Sequence, residues 1–365
     1  YKEAKSLVNN GYDVTVLAWD RECKYPKKEV IDGIKIERIR LKARYGFSIE
    51  LLLKMHLFWV QSLFKALKKD FDIIHAHDFD MILVGILLKI IKRKRLVYDS
   101  HEIYAEMKHP FLIRYLTIFL EFVCMFFVDV LICTNKERLQ LIEHRYRVKK
   151  SIILENYPQL KKNFPIQKYR TKYRKEFNID NKIVFVYIGF LNENRGIEES
   201  INILSKSKFR DDIRLLLIGE GAIKEKIIKI AKANNFSQNL KLIGWVPMTT
   251  VDKYLCVADF GLYFIKDSCL NNHYASPNKI YDYLSCKVVP LATNLPILRK
   301  ILKNERIGIL LDLSKFTDSI KKIDQLISNK EKIEKLKERG YHVYLNEYNW
   351  ENIENKILNV YEGLK

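Results

Sequence analysis

Apolar positions along the chain fall into two alternating patterns. Continuous runs rich in Val, Ile and Leu read as strands covered on both faces, and the stretches between them repeat apolar residues at the helical period. The first series of predicted strands is 13–19 (DVTVLAW), 35–41, 72–77 (DIIHAH), 95–100 (RLVYDS), 128–134 and 151–156 (SIILEN). The second is 182–189 (KIVFVYIG), 213–219 (IRLLLIG), 240–244, 258–265, 288–293 and 308–312. Such runs with helices between them predict parallel sheets, and two series predict two doubly wound α/β domains. Beyond Asp312 the pattern is helical only, over 314–328, 330–344 and 350–364.

The break between the series falls after Asn156-Tyr-Pro158, where residues 161–175 carry seven basic and no acidic groups. This shift, with two nearby prolines, predicts a linker over 161–175 between a domain at 1–160 and one at 176–345. The length of 365 residues agrees with two domains of roughly 150 residues each. A hydrophobic share of 48% excludes a disordered chain. The opening helical spacing of Tyr1–Val8, followed directly by a strand, reads as the second half of a unit whose first strand and Gly-rich turn precede Tyr1. No secretory leader pattern is present in these residues. Six cysteines, none in a C-x-x-C spacing, predict scattered thiols in a reducing compartment and no zinc ribbon.

Two stretches raise a membrane question. Residues 111–134 are the most apolar, but Arg114, Glu121 and Asp129 interrupt them, so the reading is a buried helix ending near Phe127 followed by a core strand. Residues 35–69 carry nine basic and two acidic groups with Tyr45, Phe47, Leu51, Phe58 and Trp59 interleaved. That composition suits either a helix at an anionic membrane surface or an ordinary helix with a solvated basic edge. The net charge of +20 divides as +8 over 1–160, +7 over 161–175 and +5 over 176–365. The surplus therefore sits in the first domain and linker. A nucleic-acid partner is not expected, because no reading module accompanies the charge.

Candidate chemistry gathers at predicted strand ends, where open α/β sheets bind ligands. His75-Ala-His-Asp78 puts two histidines on one strand face, an arrangement that suits a metal, although no third ligand is near in sequence and no metal site is assigned. Tyr98-Asp-Ser-His-Glu102 places His101 at the next strand end, with flanking acids that can orient it or cap a helix. In the second domain, Gly189-Phe-Leu-Asn-Glu-Asn-Arg-Gly196 joins a strand to a helix and makes an anion-binding corner with Arg195. Gly219-Glu-Gly221 is a similar turn, and Leu242-Ile-Gly-Trp-Val-Pro247 can clamp a base with backbone groups. Ser276-Pro-Asn-Lys279 opens a predicted helix with Ser276 as cap and Pro277 in its first turn. Lys279 at that positive end favours a bound anion, and Asp282 shares a helical face with Asn278.

These strings, in this order, resemble retaining family-4 glycosyltransferases of the GT-B fold, with KEAKSLVNNGYDVTVLA, HAHD, YDSHE, ENYP, YIGFLNENRGIEE, LLIGEG, LIGWVP, ADFGLYF and SPNKIYDYLSCKVVP spanning nearly the whole chain. The resemblance implies two Rossmann-like domains facing across a cleft and a C-terminal helix, 346–365, crossing back to the N-terminal domain. It implies transfer of a sugar from a nucleotide-sugar, a UDP- or GDP-sugar, to a glycan, lipid-linked or small-molecule acceptor, with retention and without a metal or other cofactor. His101, Arg195 and Lys279 would be catalytic. Gly189, Glu220, Trp245, Val246, Asn278 and Asp282 would bind the donor, and His77, Asp78 and Glu102 would lie on the acceptor side. The chain departs from the family pattern in Tyr274, at the place of the first glutamate of E-x7-E, and in Phe190, at the place of an arginine. A nucleotide-sugar 2-epimerase and a non-catalytic nucleotide-sugar or nucleic-acid binding protein remain as alternatives. The expected location is cytoplasmic or peripheral at the cytoplasmic membrane face, with an anionic membrane surface as candidate partner of the basic first domain.

Overall fold

The computed structural model describes residues 1–43 and 49–364. Tyr45 and Phe47, part of the expected basic helix, lie outside the described residues. The chain divides into two compact units, residues 1–155 with 353–365, and residues 156–352.

The first unit holds β1 (Thr15–Asp20), β2 (Lys28–Ile31), β3 (Ile34–Arg40), β4 (Ile73–His77), β5 (Arg95–Ser100), β6 (Val130–Cys133) and β7 (Ser151–Ile153). One sheet runs β1-β3-β2 and a second, all parallel, runs β4-β5-β6-β7. All six expected strands form, and β2 is an addition. It pairs antiparallel with β3 around Asp32-Gly33, both at positive φ, the backbone that a two-residue hairpin turn needs and that Asp-Gly supplies. The core lies against the second sheet, where Ile82, Leu96, Tyr98, Leu131 and Cys133 are almost wholly buried.

The second unit holds β8 (Ile183–Ile188), β9 (Ile213–Ile218), β10 (Leu240–Gly244), β11 (Phe260–Tyr263), β12 (Val289–Thr293) and β13 (Ile309–Leu311), in one parallel sheet of order β10-β9-β8-β11-β12-β13. From β8 the chain winds outward one way, then returns at β11 and winds the other. The point of reversal, between β8 and β11, is where a doubly wound sheet opens a crevice at its strand C-termini.

Three expectations need correction. Residues 161–175 are not a linker: helix Ile166–Phe177 belongs to the second unit, and the division falls at 155/156. Two of its cations are consumed internally, because Arg170 and Arg174 bind Asp259 and the carbonyls of residues 256–258. The returning C-terminal segment starts at 353, not 346: Trp350 donates its N–H to the Pro158 carbonyl at 2.9 Å within the second unit. Helix Glu354–Glu362 is in the first unit, held by Ser6 to Glu354 and Lys356 to Glu155, both at 2.8 Å. Finally, helix Phe111–Met125 forms where expected but is not buried; most of its apolar side chains face outward.

Candidate active site

In the second unit, the loops that leave β8, β9 and β10 line up at one end of the sheet. Gly189 donates its N–H to the Ile218 carbonyl at 2.9 Å, and Gly219 donates to the Gly244 carbonyl at 2.8 Å. Both glycines have strongly positive φ, and a Cβ on Gly219 would stand 2.0 Å from the Gly189 carbonyl oxygen. Only glycine lets these two strand ends approach so closely.

Lys279, from helix Asn278–Ser285 after β11, folds over this corner. A Cβ on Gly189 would lie 2.8 Å from its Cε, and its Nζ sits 5.8 and 5.6 Å from the ring centres of Tyr187 and Tyr263. Arg195, from the loop after β8, lies near the same tyrosine. Burial pushes the Tyr187 hydroxyl up to about 12, while the Arg195 charge pulls it the other way. Lys279 therefore lies over the backbone of Gly189 at the reversal point of the sheet, and a second cation from a separate segment, Arg195, is close enough for its charge to act on the Tyr187 hydroxyl. Such a corner suits a doubly charged anion.

Glu220 pairs with Lys224 at 2.9 Å and comes within 3.3 Å of a Cβ placed on Gly244, so it stands beside the segment that carries Trp245 and Val246. Trp245 is 67% exposed. Asn278 and Asp282 lie one turn apart on their short helix. The cap differs from the expectation: Pro277 occupies the cap position, and the Ser276 hydroxyl donates to the Asn278 side chain at 3.1 Å. Tyr274 ends helix Leu270–His273, and the exposed Phe190 offers its carbonyl to the Tyr187 hydroxyl at 2.9 Å.

In the first unit, parallel register puts His77 of β4 opposite Asp99 of β5, so both side chains share one face with His75. His75 and His77 stack, with ring centres 4.5 Å apart. Asp99, 1% exposed, gathers three imidazoles: His101 Nε2 at 2.9 Å, His77 Nδ1 at 3.1 Å and His75 Nε2 at 3.7 Å. Burial opposes charge on Asp99, but these contacts outweigh it and hold the carboxyl well below the usual carboxylate range. His101 is half-buried, which by itself lowers its pKa; the bond to Asp99 and the charges of Asp99, Asp78 and Glu3 overcome this and raise it to about 9. Asp78, at positive φ, accepts the backbone N–H groups of His101 at 2.9 Å and Glu102 at 3.3 Å. Glu102 pairs with Arg138 at 3.0 Å, and the Arg138 guanidinium also donates to the His101 carbonyl.

The structure thus gathers His77, Asp78, His101 and Glu102 into one cluster, and Gly189 and Lys279 into another, with the Arg195 charge acting on the adjoining Tyr187. Sequence reasoning missed the hub role of Asp99, the anchor Arg138, and the approach of Glu3 and of Tyr361, whose hydroxyl lies 2.8 Å from His75 Nδ1. Glu3, His75, His77 and Asp99 bring one donor atom each to within 4.8 Å of one another, a set able to hold a metal ion. The third and fourth ligands that the histidine pair lacked in sequence come from residues 3 and 99.

A model of the glycosyltransferase family 4 matches residues 1–154, and one of the glycosyl transferases group 1 matches residues 169–343. An uncharacterized glycosyltransferase of Methanocaldococcus jannaschii is 22% identical over 98% of this chain and 92% of its own length. Among solved structures, sucrose-phosphate synthase from Thermosynechococcus elongatus has a similar fold, with a TM-score of 0.82 at 16% identity over 100% of this chain and 92% of that one. HepE of Anabaena in complex with UDP-glucose matches with a TM-score of 0.73 at 14% identity, covering 91% and 87%. The first family region ends at 154, beside the division of the units at 155/156, the second starts inside the second unit at 169, and each unit carries its polar cluster at the strand ends that such a fold uses. The chain belongs to the family-4, group 1 glycosyltransferases of the GT-B fold, enzymes that take sugar from a nucleotide-sugar donor.

Proposed function

We propose that this protein transfers a hexosyl group from a UDP- or GDP-sugar, with retention and without a metal, to a sugar or lipid-linked acceptor at the cytoplasmic face of a membrane. The observation that carries the reading is Lys279 folded over the backbone of Gly189, with the Arg195 charge acting on the adjoining Tyr187. There they neutralise the donor diphosphate and stabilise it as leaving group, the task a metal performs elsewhere. Glu220, Trp245 and Val246 border the base and ribose side, and Asn278 and Asp282 hold ribose or sugar hydroxyls.

In the reaction the bond from the anomeric carbon to the diphosphate breaks, and the bond to the acceptor oxygen forms on the same face of the sugar. The acceptor's proton passes to the departing phosphate oxygen. The charge state of His101 supports that route: held at about 9, it is already protonated at neutral pH and donates hydrogen bonds instead of accepting a proton. It contacts the transferred sugar, with His77, Asp78 and Glu102 toward the acceptor. The complex of HepE with UDP-glucose favours a UDP-sugar here.

Calorimetry with UDP and GDP tests the donor site. Arg195→Ala and Lys279→Ala should each weaken nucleoside-diphosphate binding by roughly tenfold or more, the scale of one charged hydrogen bond. Unchanged affinity in both variants would remove the assignment. Turnover that survives chelation supports metal independence, and product that appears without acceptor would turn the reading to an epimerase.

A further inference from the structure

Helix Phe111–Met125 is inside out. Its inward face carries Thr117 and Glu121, both buried, and Arg114, which binds the buried Glu106 at 2.7 Å. Burial raises Glu121 to about 7, and its carboxyl accepts the Tyr146 hydroxyl at 2.7 Å. The outward face is Leu112, Tyr115, Leu116, Phe119, Phe122 and Phe126, spaced at the helical period and all exposed, Leu112 by 77%. A water-facing helix shows the opposite arrangement.

The face continues onto two neighbours. Helix Asp78–Lys92 packs between helix Phe111–Met125 and helix Ile49–Leu67. It exposes Leu87, Ile90 and Ile91, and helix Ile49–Leu67 exposes Leu53, Leu57, Val60 and Phe64 on one side. Seventeen of the 27 large apolar side chains exposed among the described residues belong to this three-helix group, counting Phe126 just past the last helix. Monomeric water-soluble proteins rarely gather so many. A groove of about 450 Å³ borders it, with Tyr115, Ile118, Phe119 and Phe122 on one wall and Arg145 and Tyr146 opposite.

We propose that this three-helix face seats in the interfacial layer of a lipid bilayer, so that the bilayer presents the acceptor; the second clause rests on the glycosyltransferase reading. Charge selects this occupant. Each helix has an exposed cation just beyond one end, Lys68, Arg93 and Lys108, placed for anionic headgroups around an apolar centre. A symmetric dimer through the same face would bring two sets of these cations to the rim of one apolar seam, with no matching acidic set among the described residues to meet them. No described helix is long and apolar enough to cross a membrane, which fits a face that lies on one leaflet.

Vesicle flotation tests this, using phosphatidylcholine vesicles with and without phosphatidylglycerol. The wild type should float with the mixed vesicles and remain bound at high salt. Phe119→Ser with Phe122→Ser should lower partitioning by roughly tenfold or more. Lys68→Ala with Arg93→Ala and Lys108→Ala should weaken binding at low salt only. UDP affinity and thermal unfolding serve as controls, and Leu112→Ser, at a still more exposed position, gives the same readout if the double variant fails to fold. Flotation unchanged by the serine variants overturns the proposal, as does a wild type that ignores vesicles while forming a dimer that Phe119→Ser dissociates. UDP binding without flotation removes the bilayer alone; flotation without nucleotide binding keeps the bilayer and removes the acceptor clause.

Discussion

Each unit is built around an enclosed aspartate that gathers three basic side chains, Asp99 buried and Asp259 nearly so, yet the two hubs do different things. Asp99 collects His75, His77 and His101 at the C-terminal ends of β4 and β5. Asp259 collects Arg170, Arg174 and Lys337 at the opposite end of its sheet, just before β11, and also accepts the Val184 N–H at 3.0 Å. Both carboxyls are held low against the cost of burial, Asp259 at about 2. The difference lies in the partners. Guanidinium and ammonium groups keep their charge across the working pH range, so Asp259 makes a permanent staple between helix Ile166–Phe177 and the strand starts. Imidazoles do not: His101 gives up its proton as pH rises through about 9, so the Asp99 hub changes charge on the alkaline side of neutrality, and it stands where ligands bind.

Asp259→Asn should have the largest effect. It leaves Arg170 and Arg174 without their anion and Lys337 with only the exposed Glu334, and breaking a buried ion cluster costs about 3–5 kcal/mol. Urea unfolding should show this loss undiminished across neutral pH. In the wild type the Asp259 contribution is fully present above the ordinary value of 3.8 and fades as pH falls through about 2, so the gap between variant and wild type should close only in strong acid. A gap that narrows between neutral and mildly alkaline pH would break the contrast with Asp99.

Asp99→Asn should cost less, about 1–3 kcal/mol, because its imidazole partners can shed their protons and leave no unpaired charge behind. Its signature is pH dependence. His101 is raised from 6.5 to about 9, so its share of stability is fully present below about 6.5 and lost as pH rises through about 9. The variant should lose that slope, which unfolding at a series of pH values would reveal. Arg174→Lys ranks third, at about 1–2 kcal/mol. Lysine keeps the charge but cannot reproduce the four guanidinium contacts to Asp259 and to the carbonyls of residues 180, 182 and 257.

The contrast also explains what was legible in the sequence. Strands were, because burial on both faces imposes continuous β-branched runs, and twelve of the thirteen appear in the pattern. The exception, Lys28–Ile31, has the Asp32-Gly33 turn signal but lies mostly exposed. The individual histidines were legible as strand-end residues. Their hub was not, because it depends on the register that sets His77 opposite Asp99. Arg170 and Arg174 read as linker charge since their partner lies more than eighty residues away in sequence. Helix Phe111–Met125 was legible as a helix, and its polar stripe Arg114, Thr117 and Glu121 has helical spacing. What hydrophobicity alone does not encode is which stripe faces the protein, and here the polar one does.

The smallest expected effect is the sharpest test of which acids tune the histidine hub. Glu102 and Asp78 both lie beside His101, but they act differently. Glu102 is nearly half exposed and spends its charge on Arg138, an anchor that also holds the His101 carbonyl. Asp78 is more enclosed and adds directly to the field that keeps His101 protonated. Glu102→Gln should therefore cost no more than about 0.5 kcal/mol and leave the His101 titration where it was. Asp78→Asn should lower the His101 midpoint while Asp99 keeps it above 6.5. Histidine proton resonances followed through a pH titration read both outcomes. Equal shifts in the two variants would mean that the hub is tuned by the net acidity of the loop and not by the carboxyl that His77 and His101 share.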